Sequence, residues 1–329
     1  MKALQQRVRR TIRRHALCPA GTRVLAAVSG GSDSVSLVRL LLDLSGTGGF
    51  QLVALGHVHH GLRETAGRDE AFCRALAERL ELPLLTRRAD VRGLAESQRL
   101  SLEDAARRLR YAALGEMADE AGADRIAVGH TEDDQAETVL LKLMRGAGTT
   151  GLAGIYPRRE RVIRPLIDVA RSDLRSYLRA RGEHWVEDET NDDRSNPRNR
   201  VRHVVLDALE QAGGGNVRSA LARAAALLRE DAEWLDELAA AQMAMLATSC
   251  DDGLSLDVAG LQAAALPVRR RVVLRGLRAV AGGREVGLEH VEMVLAVLAG
   301  TARGADTPGS RVERRRGRLL LRQQGILTK

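Results

Sequence analysis

Six consecutive residues, Ser29-Gly30-Gly31-Ser32-Asp33-Ser34, carry the densest chemistry in this chain. Three hydroxyls, two adjacent glycines and one carboxylate suit a phosphate. Glycine lets backbone approach a ligand closely, and the free N–H groups of a helix start point at an anion. Asp33 is poorly suited to a bare phosphate and well suited to a magnesium ion that bridges phosphates. Such a loop needs a strand before it and a helix after it. Val24 to Val28 is a short apolar run with β-branched ends, and Val35 to Leu42 has the apolar density of a buried helix.

Further groups of chemically competent residues recur along the chain. Gly129-His130-Thr131-Glu132-Asp133-Asp134-Gln135-Ala136-Glu137-Thr138 starts at a strand end and enters a helix. Asp134 and Glu137, three apart, share a helical face that can overhang the Ser29 loop, with His130 at its mouth. Acids at a helix start also have a purely structural use, offsetting the helix dipole. Arg107, Arg110 and Tyr111 occupy neighbouring helical positions, from which a subset could reach a phosphate or substrate; without other context they read as a solvated face. In His57-Val58-His59-His60-Gly61-Leu62-Arg63, His57 and His59 share a strand face, but no cysteine or carboxylate cluster nearby completes a zinc set.

What is missing narrows the chemistry. A Walker loop ends in Gly-Lys-Ser or Gly-Lys-Thr, and the chain's three lysines, Lys2, Lys142 and Lys329, never follow a glycine. Gly146-Ala147-Gly148-Thr149-Thr150-Gly151 matches a dinucleotide fingerprint literally, yet follows a helical pattern rather than a strand. The net charge of +8 is carried almost wholly by arginine, whose planar fork suits phosphate and base edges, so a polyanionic partner or a general arginine bias would both explain it. Aromatic residues at 2% argue against a stacking platform for single-stranded nucleic acid. Cys18, Cys73 and Cys250 are odd in number and far apart, which fits no disulfide framework and suits a reducing cytoplasm. No apolar run approaches the roughly 20 residues that span a bilayer. Arg7, Arg9, Arg10, Arg13 and Arg14 are read as a surface helix in preference to a transit peptide.

The elements that must position these residues alternate. Strands are expected at Val24–Val28, Gln51–Val58, Leu84–Arg88 and Arg125–His130, and helices after the Ser29 loop, over Glu64–Leu82, from Ser101 to about Ala121, and over Glu132–Arg145. That alternation means βαβ units: an α/β fold with a doubly wound, mostly parallel sheet. Ligands then sit outside the C-terminal strand ends, where Ser29, His57, His59, His60 and His130 fall. Glu187 to Arg202 is polar and arginine-rich and reads as a loop or the start of a helix. Gly213-Gly214-Gly215 is taken as the boundary between a catalytic domain, 1–212, and a smaller, mainly helical domain, 216–329. The latter is expected to contain a long helical region from Asn216 to Ala247, shorter helices at Pro267–Ala281 and Leu288–Leu298, and a closing strand pair that turns at Arg316-Gly317.

The Ser-Gly-Gly-Ser-Asp-Ser loop resembles that of the PP-loop ATP pyrophosphatases. With the His57–Arg63 run, Arg107–Tyr111, His130–Thr138, Arg145-Gly146-Ala147-Gly148, Arg164-Pro165-Leu166, Glu187-Asp188-Glu189-Thr190-Asn191 and Arg198-Asn199-Arg200-Val201-Arg202, in that order, the chain resembles the tRNA(Ile)-lysidine synthetase family over about residues 20 to 205. Pro197 and Asp207 depart from the family's usual residues. The resemblance implies an adenine nucleotide α-hydrolase-like fold and a cytoplasmic ligase. It would join free lysine to C2 of the wobble cytidine in an isoleucine tRNA with a CAU anticodon, through an adenylated cytidine, releasing AMP and pyrophosphate. ATP would bind at Ser29, Gly30, Gly31, Ser32, Asp33 and Ser34, with Mg2+ on Asp33. Asp33, Arg110, His130, Asp134 and Glu137 would be catalytic. Asp134 would hold lysine or magnesium and Glu137 lysine, one of them taking or relaying a proton. Arg198, Asn199 and Arg202 would contact tRNA or phosphate, and the second domain would bind tRNA. No membrane partner is implied, and a homodimer stays open. The rival within the superfamily is tRNA thiolation, which would need a cysteine pair that the chain lacks.

Overall fold

Leu4, Val8 and Ile12 are buried at a spacing of four in a segment rich in arginine, so residues 2–14 form an amphipathic helix, α1 (Lys2–Arg14). The structure, a computed structural model, describes residues 1–59, 66–187 and 196–324. It divides into two compact units, Met1–Arg229 and Glu230–Lys329.

The first unit continues with β1 (Thr22–Ala27), α2 (Ser32–Leu44), β2 (Phe50–His59), α3 (Ala66–Arg79), β3 (Leu84–Arg88), α4 (Val91–Gln98), α5 (Leu102–Glu120) and β4 (Arg125–Ala127). Then come α6 (Glu132–Leu143), α7 (Thr149–Leu152), β5 (Arg158–Arg159), β6 (Val162–Ile163) and α8 (Arg171–Ala180). The strands lie in the order β3-β2-β1-β4-β6-β5, parallel throughout except for the edge pair β5–β6. From β1 the chain crosses to β2 on one side and later to β4 on the other. The topological switch point therefore lies between the C-terminal ends of β1 and β4, where a doubly wound sheet leaves a crevice. One face of the sheet buries Val24, Ala26 and Leu55 under α2; the other buries Leu25, Ala54 and Ile126 under Leu114 and Met117 of α5. Alternate residues of each strand therefore serve opposite cores.

Helix α8 lies along α2 in parallel register. Asp33 pairs with Arg171, Ser36 donates to the carbonyl of Leu174, and Asp43 accepts from Arg181, each pair 138 residues apart. Asp43 also accepts from Tyr177 and Gln5, tying α1, α2 and α8 together away from the strand ends.

The unit continues with α9 (Pro197–Arg200), a π-helical turn over Val201–Val205, and α10 (Leu206–Gly213). Gly213-Gly214-Gly215 closes α10, with Gly214 in the left-handed cap conformation at φ +76°. The compact units change later, at 229/230, within α11 (Val217–Leu246), which is one 30-residue helix.

The second unit adds a sheet to its expected helices. Beside α12 (Val258–Ala263), α13 (Leu266–Val280) and α14 (Leu288–Ala299) it holds β7 (Ala247–Cys250), β8 (Gly253–Asp257), β9 (Gly304–Thr307), β10 (Ser310–Arg315) and β11 (Arg318–Gln323). These form one antiparallel sheet in the order β7-β8-β11-β10-β9. The expected pair β10–β11 is its centre, turning through left-handed Arg316 and Gly317 as a tight hairpin requires. Three short flanking strands escaped the sequence reading because each buries at most two side chains. Leu319 and Leu321 pack with Val272, Leu277 and Val294 beneath the helices.

Candidate active site

Each end of the Ser29–Ser34 turn is fastened. After β1, Gly30 takes φ +89°, a conformation costly for any residue with a Cβ, and its carbonyl accepts from the Val186 amide at 2.9 Å. The Ser34 hydroxyl accepts from the Ser29 amide at 3.1 Å and donates to the Gly31 carbonyl at 2.9 Å, closing the turn on itself. Gly31 is the N-cap of α2, with no side chain competing for the free amides of the first turn. Ser32 donates to Asp33 Oδ1 at 3.2 Å. The loop is thus preformed, with helix-start amides available to an anion.

Gly129, at the end of β4, meets this turn: a Cβ placed there would lie 3.2 Å from the Asp33 carbonyl carbon and oxygen and 3.3 Å from the Ser34 amide nitrogen. Absence of a side chain at 129 lets the two strand ends converge. Thr131 then caps α6 in a capping box, Asp134 Oδ2 accepting from the Thr131 amide at 2.8 Å and hydroxyl at 2.9 Å. The structural use of an acid at this helix start is therefore real, and it employs one oxygen. Asp134 Oδ1 faces the other way and accepts from Arg171 Nη2 at 3.2 Å and Arg198 Nη2 at 3.1 Å.

Glu137, one turn on, is fully buried. Its Oε2 accepts from Arg198 Nε and its Oε1 from Arg202 Nε, both at 2.6 Å, and Arg171 Nη1 stands 3.8 Å from Oε1. Arg171 also donates through Nε to Asp33 Oδ2 at 2.8 Å. Three carboxylates from two turns, Asp33, Asp134 and Glu137, thus meet three guanidiniums, Arg171, Arg198 and Arg202. Burial pushes the Asp134 carboxyl up, but Arg171, Arg198 and the Thr131 amide outweigh it and hold it down at about 2. At Asp33 burial wins over Arg171, and its pKa is raised.

A second pole, rich in arginine, adjoins the first. Arg164 is buried and donates from Nε to His130 Nδ1 at 3.1 Å and from Nη1 to the Tyr156 carbonyl at 2.7 Å. His130 Nδ1 is therefore an acceptor, and the ring is neutral with its proton on Nε2. Burial, then Arg164 and Arg110, drives its pKa down to about 3 against the pull of Asp134. Arg107 and Arg110 lie 5.3 and 5.2 Å from the centroid of the Tyr111 ring. The α5 arginines that looked like a solvated face thus include Arg110, half-buried at this pole.

Asp33, Asp134, Glu137, Arg198 and Arg202 come together as one network, with His130 and Arg110 at its edge. Asn199 is buried on α9. Asn196 caps α9 and Pro197 is its first residue, where proline's fixed φ fits; the departure at 197 thus starts the helix that presents Arg198. His57 binds the Val28 carbonyl through Nδ1 at 3.0 Å, bracing the end of β1. Among the described residues no three metal-ligating side chains gather. His60 to Arg63 and Asp188 to Asn191 lie outside the described residues. Gly148 caps α7, which follows a helix and not a strand, so the literal Gly146–Gly151 fingerprint lacks its structural context.

Sequence reasoning missed Arg171 as a site residue. A cation at the first position of a helix opposes the helix dipole, so nothing local marks it, and only the α2–α8 register explains it. Arg164 stood in a quoted run without a role; its burial supplies one.

The switch-point loop has counterparts in known proteins. A tRNA(Ile)-lysidine synthase from Symbiobacterium thermophilum is 42% identical over 315 residues, covering 92% of this chain and 64% of that protein. One from Thermus thermophilus is 41% identical over 303 residues, covering 92% of this chain and 56% of the relative. The chain thus spans less than two thirds of these relatives' lengths. Among solved structures, a U34-tRNA thiolase from Methanococcus maripaludis with its [4Fe-4S] cluster superposes at a TM-score of 0.57 with 18% identity, over 70% of this chain and 79% of the other, a likeness of fold. The sequence profile of the PP-loop domain matches residues 2–209, which takes in β1, the fastened turn and every carboxylate and guanidinium of the network. By that match the chain belongs to the PP-loop domain family.

Proposed function

We propose that this protein uses ATP to ligate free lysine to C2 of the wobble cytidine in the CAU anticodon of an isoleucine tRNA. The observation that carries the reading is the convergence of the Ser29–Ser34 turn and the Asp134–Glu137 helix on one crevice, bridged by Arg171. The lysidine synthase name borne by relatives at 42% and 41% identity supports the substrate choice.

The C2 carbonyl of cytosine is a poor electrophile. Its oxygen attacks the α-phosphorus of ATP, the bond to pyrophosphate breaks, and the cytidine is left O-adenylated. The lysine ε-amine then attacks C2, and the C2–O bond breaks to release AMP. The preformed turn offers its amides and hydroxyls to the departing pyrophosphate, a matter of positioning and electrostatics. Asp33 and Asp134 would hold Mg2+ through hard carboxylate oxygens, a donor set of the kind that ion takes. Bound there, it would screen the charge of pyrophosphate.

The lysine ammonium, with a pKa of roughly 10.4, is attracted to the carboxylate pole and must lose a proton before attack. Asp134 and Glu137 form that pole; Asp134 Oδ1, with the longer bonds, yields first to an incoming ammonium. An acid held near 2 and an imidazole near 3 are weak bases, so Asp134 and His130 orient, and Glu137 is assigned to take the proton or relay it to solvent. Arg110, Arg198, Asn199 and Arg202 are assigned to the α-phosphate or the tRNA backbone. The arginine-rich second unit is assigned to tRNA.

Thiolation is disfavoured: burial lifts the Cys18 thiol to about 11 and the Cys73 thiol to about 12, far from thiolate at neutral pH. The test is incubation with radiolabelled lysine, ATP, Mg2+ and isoleucine tRNA transcripts with CAU or GAU anticodons. Label should enter only the CAU transcript, with pyrophosphate released; no incorporation would overturn the reading.

A further inference from the structure

Arg171 is the bridging cation of the network. Among the described residues it alone touches both Asp33 and the acids of α6, and its side-chain contacts to α6, 3.2 Å to Asp134 and 3.8 Å to Glu137, are longer than the 2.8 Å it makes to Asp33. Arg198 and Arg202 grip buried Glu137 at 2.6 Å. Arg171 also stands at the first position of α8, where the helix dipole disfavours a cation. Among the described residues its side chain pairs with the acids opposite, and its backbone amide donates to a further acid, Asp133, at 2.8 Å.

We propose that Arg171 is a positioning residue that occupies, in the nucleotide-free protein, the place a divalent cation takes between Asp33 and Asp134, so that metal enters only with a nucleotide. This rests on the reading of the crevice as a magnesium-nucleotide site. Charge balance supplies the reason. Three guanidiniums already neutralise three carboxylates, so a bare dication would leave the network strongly positive, whereas a metal carried on a triphosphate brings its own negative charge. The triphosphate also offers the guanidinium new oxygen acceptors, and a planar fork exchanges carboxylate for phosphate at little cost in geometry. Release of Arg171 leaves Asp33 and Asp134 as two close carboxylates, the donor pair that a hard dication seeks.

The test is Mn2+ binding to the full chain without nucleotide or tRNA, read by electron paramagnetic resonance. Arg171→Gln is expected to bind Mn2+ about tenfold more tightly than the parent protein, because the competing cation is gone while both acids stay. A clamp that served only the fold would move the affinity the other way, since losing it would loosen the site. Should Arg171→Gln not fold, Arg171→Lys replaces it: a single ammonium cannot bridge both acids as the fork does, and about threefold tighter Mn2+ binding is expected. Equal or weaker Mn2+ binding by a folded variant, judged by unchanged circular dichroism, overturns the proposal. Lysine incorporation is not part of this measurement, so either reading can fail without the other.

Discussion

Arg171 Nε donates to Asp33 Oδ2 at 2.8 Å, and the offset of 138 residues between them recurs ten residues further along both helices, where Arg181 Nη1 donates to Asp43 Oδ2 at 2.8 Å. A parallel helix pair is thus pinned by a like charge pair at each end. One pin lies in the crevice and the other far from it, so the register that places Arg171 over the nucleotide loop is set partly by residues that never meet a substrate.

The outer pin can be removed alone. Asp43→Asn weakens the acceptor shared by Arg181, Tyr177 and Gln5 and is expected to lower the unfolding free energy by about 1–2 kcal/mol, as lost hydrogen bonds to a charged group do. Urea denaturation checks this; an unchanged midpoint would show that packing between α2 and α8 suffices without the pin.

Glu137 presents the opposite case, an anion buried under two short guanidinium bonds. Glu137→Gln strands two arginines, and a loss of about 3 kcal/mol is expected, the range seen when one partner of a buried pair is removed. Activity should fall with it. Thermal and urea unfolding of the variant measure the first effect, and unaltered stability with lost turnover would assign Glu137 to substrate alone.

Gly129→Ala forces a methyl group against the Asp33 carbonyl at 3.2 Å, and backbone cannot give way as a side chain would. The α2 turn must shift, at a cost of about 1–3 kcal/mol. Most of the effect should appear as weakened binding of α,β-methylene-ATP, measured by calorimetry, because the displaced residues are those proposed to hold the phosphates.

His130 makes stability depend on pH. Its folded pKa, about 3, lies below the ordinary histidine value, so the folded protein keeps the ring neutral while the unfolded chain takes up a proton as pH falls through about 6.5. Stability from this residue is complete above that point and is lost on acidification, by up to about 1 kcal/mol per pH unit between about pH 6 and pH 4. Asp134, with its folded pKa depressed to about 2, adds a loss only as pH falls below about 4. Asp33, raised, works in the opposite sense and offsets part of that acid loss. His130→Asn keeps an acceptor for Arg164 and should flatten the profile above about pH 5 in urea titrations; an unchanged slope would show that the ring is charged in the fold.

Local pattern by itself determined the alternation of strands and helices, the hairpin turn at Arg316-Gly317 and the phosphate character of Ser29 to Ser34, because periodicity, glycine placement and capping act over a few residues. It also brought out Asp134 and Glu137, whose spacing of three is a property of one helix. Tertiary structure decided the rest. That Asp134 Oδ1 looks toward Asp33, that Arg171 stands between them, that Arg164 fixes the His130 tautomer, and that short segments such as Ala247–Cys250 find partners in a sheet all depend on chain segments far apart in sequence. Charge pairs of that kind leave no periodic trace, since any arginine can meet any acid once folding has chosen the register.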